Sequence, residues 1–195
     1  MTSRTLRAAA LCGAVTLTGL LAGCGSGGDD KPAPSTPASP TGADASASPS
    51  VPADPKAAER ARALAAYRAM WVEQMKAYGK ASEQGTELTR YASLDALATF
   101  RLDLAHMRRS GVVATGSLGH SPKVTALDLH ASTPTATVTD CLDLAHWQEK
   151  HVKTGQAIPL PSDQPRRYQA TARVERWDGG RWMVTQYTPH GDRTC

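Results

Sequence analysis

Few residues in this 195-residue chain stand where chemistry could be done, and Asp140 is the first of them. In Ala136-Thr137-Val138-Thr139-Asp140-Cys141-Leu142, alternation puts Asp140 on one side with Ala136, Val138 and Leu142. If that side lines a hollow, a carboxylate faces a largely apolar wall. It is then placed to act as a base or to hold the polar group of a ligand. The commoner fate of such an Asp is a partner across the sheet, here Arg173 or a Trp N–H, or exposure at a strand end. Trp147 beside a loop and Trp177 beside a hairpin are candidate ligand contacts. Trp71 and Trp182 are more simply core.

Other constellations are weak. His146 and His151 are five apart, which does not place them on one helix face, and His106, His120, His130 and His190 are isolated. No metal or cofactor is expected, because no ligand spacing is present. Gly116-Ser117-Leu118-Gly119-His120-Ser121 sets a Ser near a His, but the nucleophile-elbow spacing is not met, and a turn is the simpler reading. Leu-Asp-Leu-Ala-His occurs at 102–106 and again at 142–146 with unlike flanks, and is read as chance.

The elements that must position these residues are legible. Asp54-Pro55 is a helix start, an N-cap acceptor followed by Pro. Leu64, Tyr67, Trp71, Met75 and Tyr78 then follow at helical spacing, with Arg60, Arg68, Glu73, Lys76 and Lys80 off that face. A second helix carries Leu94, Leu97, Phe100, Leu104 and Met107, with Ser93 as cap, Arg108 and Arg109 in the last turn and Gly111 as stop. After Gly111 the period changes. Residues 112–118, 123–130, 135–142, 167–176 and 181–187 read as strands. Asp178-Gly179-Gly180 joins the last two as a hairpin, and Ser132-Thr133-Pro134 marks another turn. The stretch between Leu144 and Arg166 reads as a long loop, with a helical turn in its first part. Two helices packed on a curved antiparallel sheet of about five strands make an α+β domain over 55–195.

That order, with TATVTDCLD in mid-sheet and ERWDGGRWMVTQY as the last hairpin, resembles the nuclear transport factor two-like fold, a cone-shaped α+β barrel found in secreted actinobacterial proteins. The resemblance implies a cone pocket. It does not imply one activity, because the fold hosts isomerases, cyclases and non-enzymatic modules alike. The absence of asparagine and the single isoleucine, Ile158, suit a GC-rich bacterial genome.

The front of the chain is different. Arg4 and Arg7 precede an uncharged run from Ala8 to Leu21, too short for the roughly 20 residues of a bilayer span. The run ends in Leu21-Ala22-Gly23-Cys24, which resembles the lipobox of bacterial lipoproteins. The resemblance implies that residues 1–23 are a cleaved signal peptide and that Cys24 carries a diacylglyceryl group. Two or more acyl chains give lasting membrane residence. Residues 25–54, rich in Pro, Ser, Ala and Gly, cannot bury enough apolar surface to fold and read as a disordered tether reaching roughly 30–90 Å. The tether is acidic, so the positive balance of the chain (net +4) lies mainly in the domain. The basic residues are scattered and no nucleic-acid motif accompanies them.

Cys12 would leave with the signal, so Cys141 and Cys195 remain. In an oxidising compartment they are expected to form a disulfide; metal ligation is the alternative, without a short Cys pair to support it. The expected protein is a lipid-anchored lipoprotein on the extracytoplasmic face of the membrane. Its domain is a binding or accessory module for a small apolar ligand, an envelope protein or a wall polymer, and no nucleic acid is expected. The alternatives are an isomerase- or cyclase-type enzyme using Asp140 and a purely structural contact domain.

Overall fold

The computed structural model describes residues 54–195; the signal, Cys24 and nearly all of the tether lie outside the described residues. Helix α1 spans Pro55–Tyr78 and starts as its sequence demands: Asp54 Oδ1 accepts the Lys56 N–H at 2.9 Å and Pro55 opens the first turn. It buries Ala63, Tyr67, Met70, Trp71, Gln74 and Ala77. Glu73, expected on the outer face, is buried as well. Two donors offset its burial: Lys76 Nζ at 2.6 Å and the Glu87 N–H at 2.9 Å.

A short helix that periodicity did not reveal, α2 (Leu88–Tyr91), precedes α3 (Leu94–Ser110). Ser93 takes the expected N-cap position, but its side chain makes no cap hydrogen bond. At the other end Gly111 stops the helix with φ 63°, where a side chain would be strained.

Eight strands follow: β1 (Val112–Gly116), β2 (Gly119–His120), β3 (Lys123–Asp128), β4 (Thr135–Asp143), β5 (Trp147–His151), β6 (Ala157–Ile158), β7 (Arg167–Trp177) and β8 (Arg181–His190). They form two antiparallel sheets. The larger runs β2-β4-β7-β8, with β3 also paired to β4; the smaller runs β1-β5-β6. The α+β class and the five-stranded sheet match expectation, but β1 belongs to the second sheet. Its partner β5 occupies the stretch expected to hold a helical turn. Local composition there was ambiguous, and pairing decided it: Val112 faces His151 and Gly116 faces Trp147 across the ladder. Gly116 makes this approach possible, since its φ is 81° and a Cβ there would lie 1.9 Å from the His146 carbonyl oxygen.

The main core lies between the helices and the inner face of the larger sheet. Tyr67, Met70, Trp71 and Phe100 meet Ala136, Val138 and Leu142 of β4, Ala170, Ala172 and Val174 of β7, and Val184 of β8. The register places Val138 opposite Ala172 and Asp140 opposite Ala170, so small β7 residues leave room for ring systems from the helices. Bulges between Val124 and Ala126 and between Arg173 and Val174 bend the sheet over this core. On the outer face a disulfide joins Cys141 to Cys195, with Cα atoms 5.9 Å apart. Among the described residues no helix is long and apolar enough to cross a membrane.

Candidate functional site

Asp140 lies on the inner face of β4, as alternation requires, and is 1 % exposed. Its partners are neither Arg173 nor a Trp N–H. The Tyr67 hydroxyl donates to Oδ2 at 2.9 Å, His120 Nδ1 lies 2.7 Å from Oδ2, and the Ser121 N–H donates to Oδ1 at 2.7 Å. Three elements therefore meet on one carboxylate: α1 supplies Tyr67, β2 supplies His120 and the residue after β2 supplies its backbone. The carboxylate orients the imidazole: in the neutral ring an acceptor at Nδ1 puts the proton there and leaves the Nε2 lone pair free. Among the described residues Nε2 has no hydrogen-bond partner. Burial pushes the Tyr67 hydroxyl's pKa well up, and the nearby Asp140 charge adds to it, so this phenol stays a donor.

Asp140 lines none of the cavities described among these residues; His120 lines one of them. A hollow of about 430 Å³ between α1 and the β1–β2 turn is walled by Tyr67, Trp71, Met75, Ser117, His120 and Pro122. The Trp71 ring lies 5.0 Å from the imidazole, centroid to centroid.

Trp71 also lines a larger cavity, of about 680 Å³. Its walls come from α1 (Trp71, Tyr78), α3 (Asp103, Met107), β5 (Trp147, Glu149), β7 (Tyr168), β8 (Tyr187) and the loop around Pro159. The rings pack edge to face, Tyr78 on Trp147 at 5.6 Å and Trp71 on Tyr187 at 5.4 Å. The Tyr78 hydroxyl donates to Asp103 Oδ2 at 2.9 Å. Burial raises the Asp103 carboxyl above the usual range, against the Tyr78 hydrogen bond.

Of the aromatic candidates, Trp147 lines the large cavity. Trp177 lines none of the cavities described and donates its N–H to Glu175 at 3.2 Å. Trp71 and Trp182 are buried, and Trp182 donates to Glu59 at 2.8 Å. Cys24 lies outside the described residues. Sequence reasoning passed over His120, Tyr67 and Asp103. His120 sat in a segment read as a turn, and its position just before a strand was the available signal. The Tyr67 hydroxyl was hidden by its ring, which fits an apolar helix face. Asp103 gave no signal, because its neighbours in sequence are those of any helix surface.

No family model and no curated protein matches the chain. Solved structures are similar at low identity. The intermembrane space region of the chloroplast protein ARC6 is 15 % identical, with 71 % of this chain and 97 % of that one covered and a TM-score of 0.44. A ketosteroid isomerase-like protein from Erwinia carotovora atroseptica SCRI1043 is 12 % identical, covering 66 % and 92 %, with a TM-score of 0.40. A structure from Catenulispora acidiphila is 13 % identical, covering 70 % and 94 %, with a TM-score of 0.37. At these scores the likenesses carry no functional weight, and the α+β class is read from the chain's own helices and antiparallel sheets.

Proposed function

We propose that this protein is a lipoprotein of the bacterial cell envelope, held by acylated Cys24 at the extracytoplasmic face of the membrane, whose domain binds a small ligand. One observation carries the binding reading: the cavity of about 680 Å³, walled largely by aromatic and aliphatic side chains with a few polar groups at its edge. Its volume lies in the range that takes a ligand of drug size, roughly 300–1,000 Å³. The Leu21-Ala22-Gly23-Cys24 sequence supports the anchor. Thermal unfolding in the presence of lipid, steroid, amine and sugar panels tests the binding: a class of ligand should raise the transition temperature, and a Trp147→Ala variant should lose that rise. No shift with any class would overturn it. Cys24→Ala should release the protein from membranes, and undiminished retention would refute the anchor.

A second reading, a proton-transfer enzyme, is favoured by the Asp140–His120 contact of 2.7 Å. In it Asp140 acts through His120: Asp140 orients the ring and His120 Nε2 removes a proton from a ligand in the smaller hollow. Incubation with enolisable ketones in heavy water would show it as deuterium uptake at the α-carbon. Uptake should fall to the buffer rate in His120→Gln, and a wild-type rate equal to buffer sinks the enzyme.

A further inference from the structure

We propose that the ligand of the large cavity is an organic cation, a tertiary or quaternary ammonium group on an apolar body. This rests on the ligand-binding reading above and names its chemical class. The lining holds five aromatic rings, those of Trp71, Tyr78, Trp147, Tyr168 and Tyr187, and two carboxylates, Asp103 and Glu149. Its one titratable base is His106, a turn from Asp103 on α3; it holds no Lys or Arg, although Lys and Arg (22) outnumber Asp and Glu (18) in the chain.

The two carboxylates differ from the acids that this domain neutralises with a basic side chain. Glu59, Glu73, Glu83, Glu87, Asp143 and Glu175 each face a Lys or Arg. Asp103 and Glu149 form no ion pair among the described residues. The Asp103 carboxylate accepts only the Tyr78 hydroxyl, and Tyr78 meets Trp147 edge to face, so carboxylate, phenol and indole form one continuous stretch of wall. Across the lining, the hydroxyls of Tyr168 and Tyr187 have no hydrogen-bond partner among the described residues, which leaves their oxygens open to a ligand.

Three ligand classes can be weighed against this wall. An anion, such as a fatty acid or a phosphate ester, would meet two carboxylates and no permanent cation. A neutral hydrophobe would fill the aromatic wall but offer the exposed Asp103 and half-buried Glu149 carboxylates nothing to pair with. An ammonium group satisfies both halves: aromatic faces attract it through their quadrupoles, and the carboxylates neutralise it. Its apolar body suits Met107, Leu118, Leu144 and Ile158.

The test is a fluorescence titration of the full acylated chain in uncharged maltoside micelles, read through the cavity tryptophans and referenced to empty micelles. Three probes of like shape are compared: benzyltrimethylammonium, its carbon isostere neopentylbenzene, and phenylacetate. The ammonium probe should bind at least about tenfold tighter than the isostere, and phenylacetate weakest. Asp103→Asn with Glu149→Gln should cut the preference for the ammonium probe several-fold, to what the rings alone supply, and a preference that stays undiminished would count against the carboxylates' part in it. Equal binding of ammonium and isostere to the wild type overturns the cation assignment and leaves the cavity reading standing, as does tightest binding of phenylacetate. Binding of none of the three overturns both. The comparison on the wild type does not depend on the variants folding.

Discussion

A single acidic side chain shows most directly how this domain handles charge. Glu73 is buried, yet its pKa is lowered: the Lys76 hydrogen bond holds it down first, then the Glu87 N–H, and together they outweigh burial. The sign of the consequence follows. A carboxyl whose pKa is lower in the folded chain stabilises fully above its unfolded value, near 4.5, and loses that contribution as pH falls through the folded value. Glu73→Gln should therefore cost about 1–3 kcal/mol at neutral pH, and the gap to the wild type should narrow on acidification below 4.5. Urea midpoints from pH 7 to pH 3 measure it, and a gap that stays constant would count against the account. Tyr67→Phe removes one of the three donors to Asp140 and should cost about 1–3 kcal/mol by the same measurement. Asp140 was legible because alternation on a strand is a strong signal. His120 and Tyr67 were not, because what recruits them is a carboxylate 20 and 73 residues away in sequence.

At the scale of elements, the helix starts and stops and the long strands could be read because their causes are local: Asp54-Pro55, Gly111, the period-two runs through β4 and β7, and the Asp178-Gly179-Gly180 turn that leads into β8. The smaller sheet could not. Trp147–His151 has no decisive local preference and becomes a strand because β1 on one side and β6 on the other pair with it. That sheet depends on Gly116, which tolerates both the positive φ and the close His146 carbonyl. Gly116→Ala should therefore do more than strain one turn. It should part β1 from β5, displace Trp147 and Glu149 from the cavity wall, and lower stability by more than about 3 kcal/mol. Amide exchange would report it as loss of protection across Val112–Gly116 and Trp147–His151. The larger sheet, held by the long β4–β7 and β7–β8 ladders, should keep its protection.

The described domain as a whole is closed by one covalent link, and its energetic effect can be separated from the contacts around it. Cys141 sits on the outer face of β4 and Cys195 is the last residue, 54 positions later. The loop between them contains β5, β6, β7 and β8, so the crosslink restricts more than a third of the described domain when it unfolds. In the chain-entropy account, closing a loop of this length stabilises by about 4 kcal/mol. The tail would not be loose without it: the Gln169 N–H donates to the Arg193 carbonyl at 2.8 Å, and the Thr171 hydroxyl lies 3.0 Å from His190 Nε2. Those contacts act on the folded state, whereas the disulfide acts mainly on the unfolded one. Cys195→Ser should thus lower stability by up to about 4 kcal/mol while the cavity keeps its affinity for ligand. Addition of reductant to the wild type should give the same loss, and reductant added to the variant should give none, since both remove one constraint. Denaturation midpoints in oxidising and reducing buffer, with ligand titration of each form, distinguish the cases. Equal midpoints in the two buffers would remove the crosslink from the account of stability. A parallel loss of ligand affinity would mean that the link also shapes the cavity, which Pro189 and Gly191 of the tail help to wall.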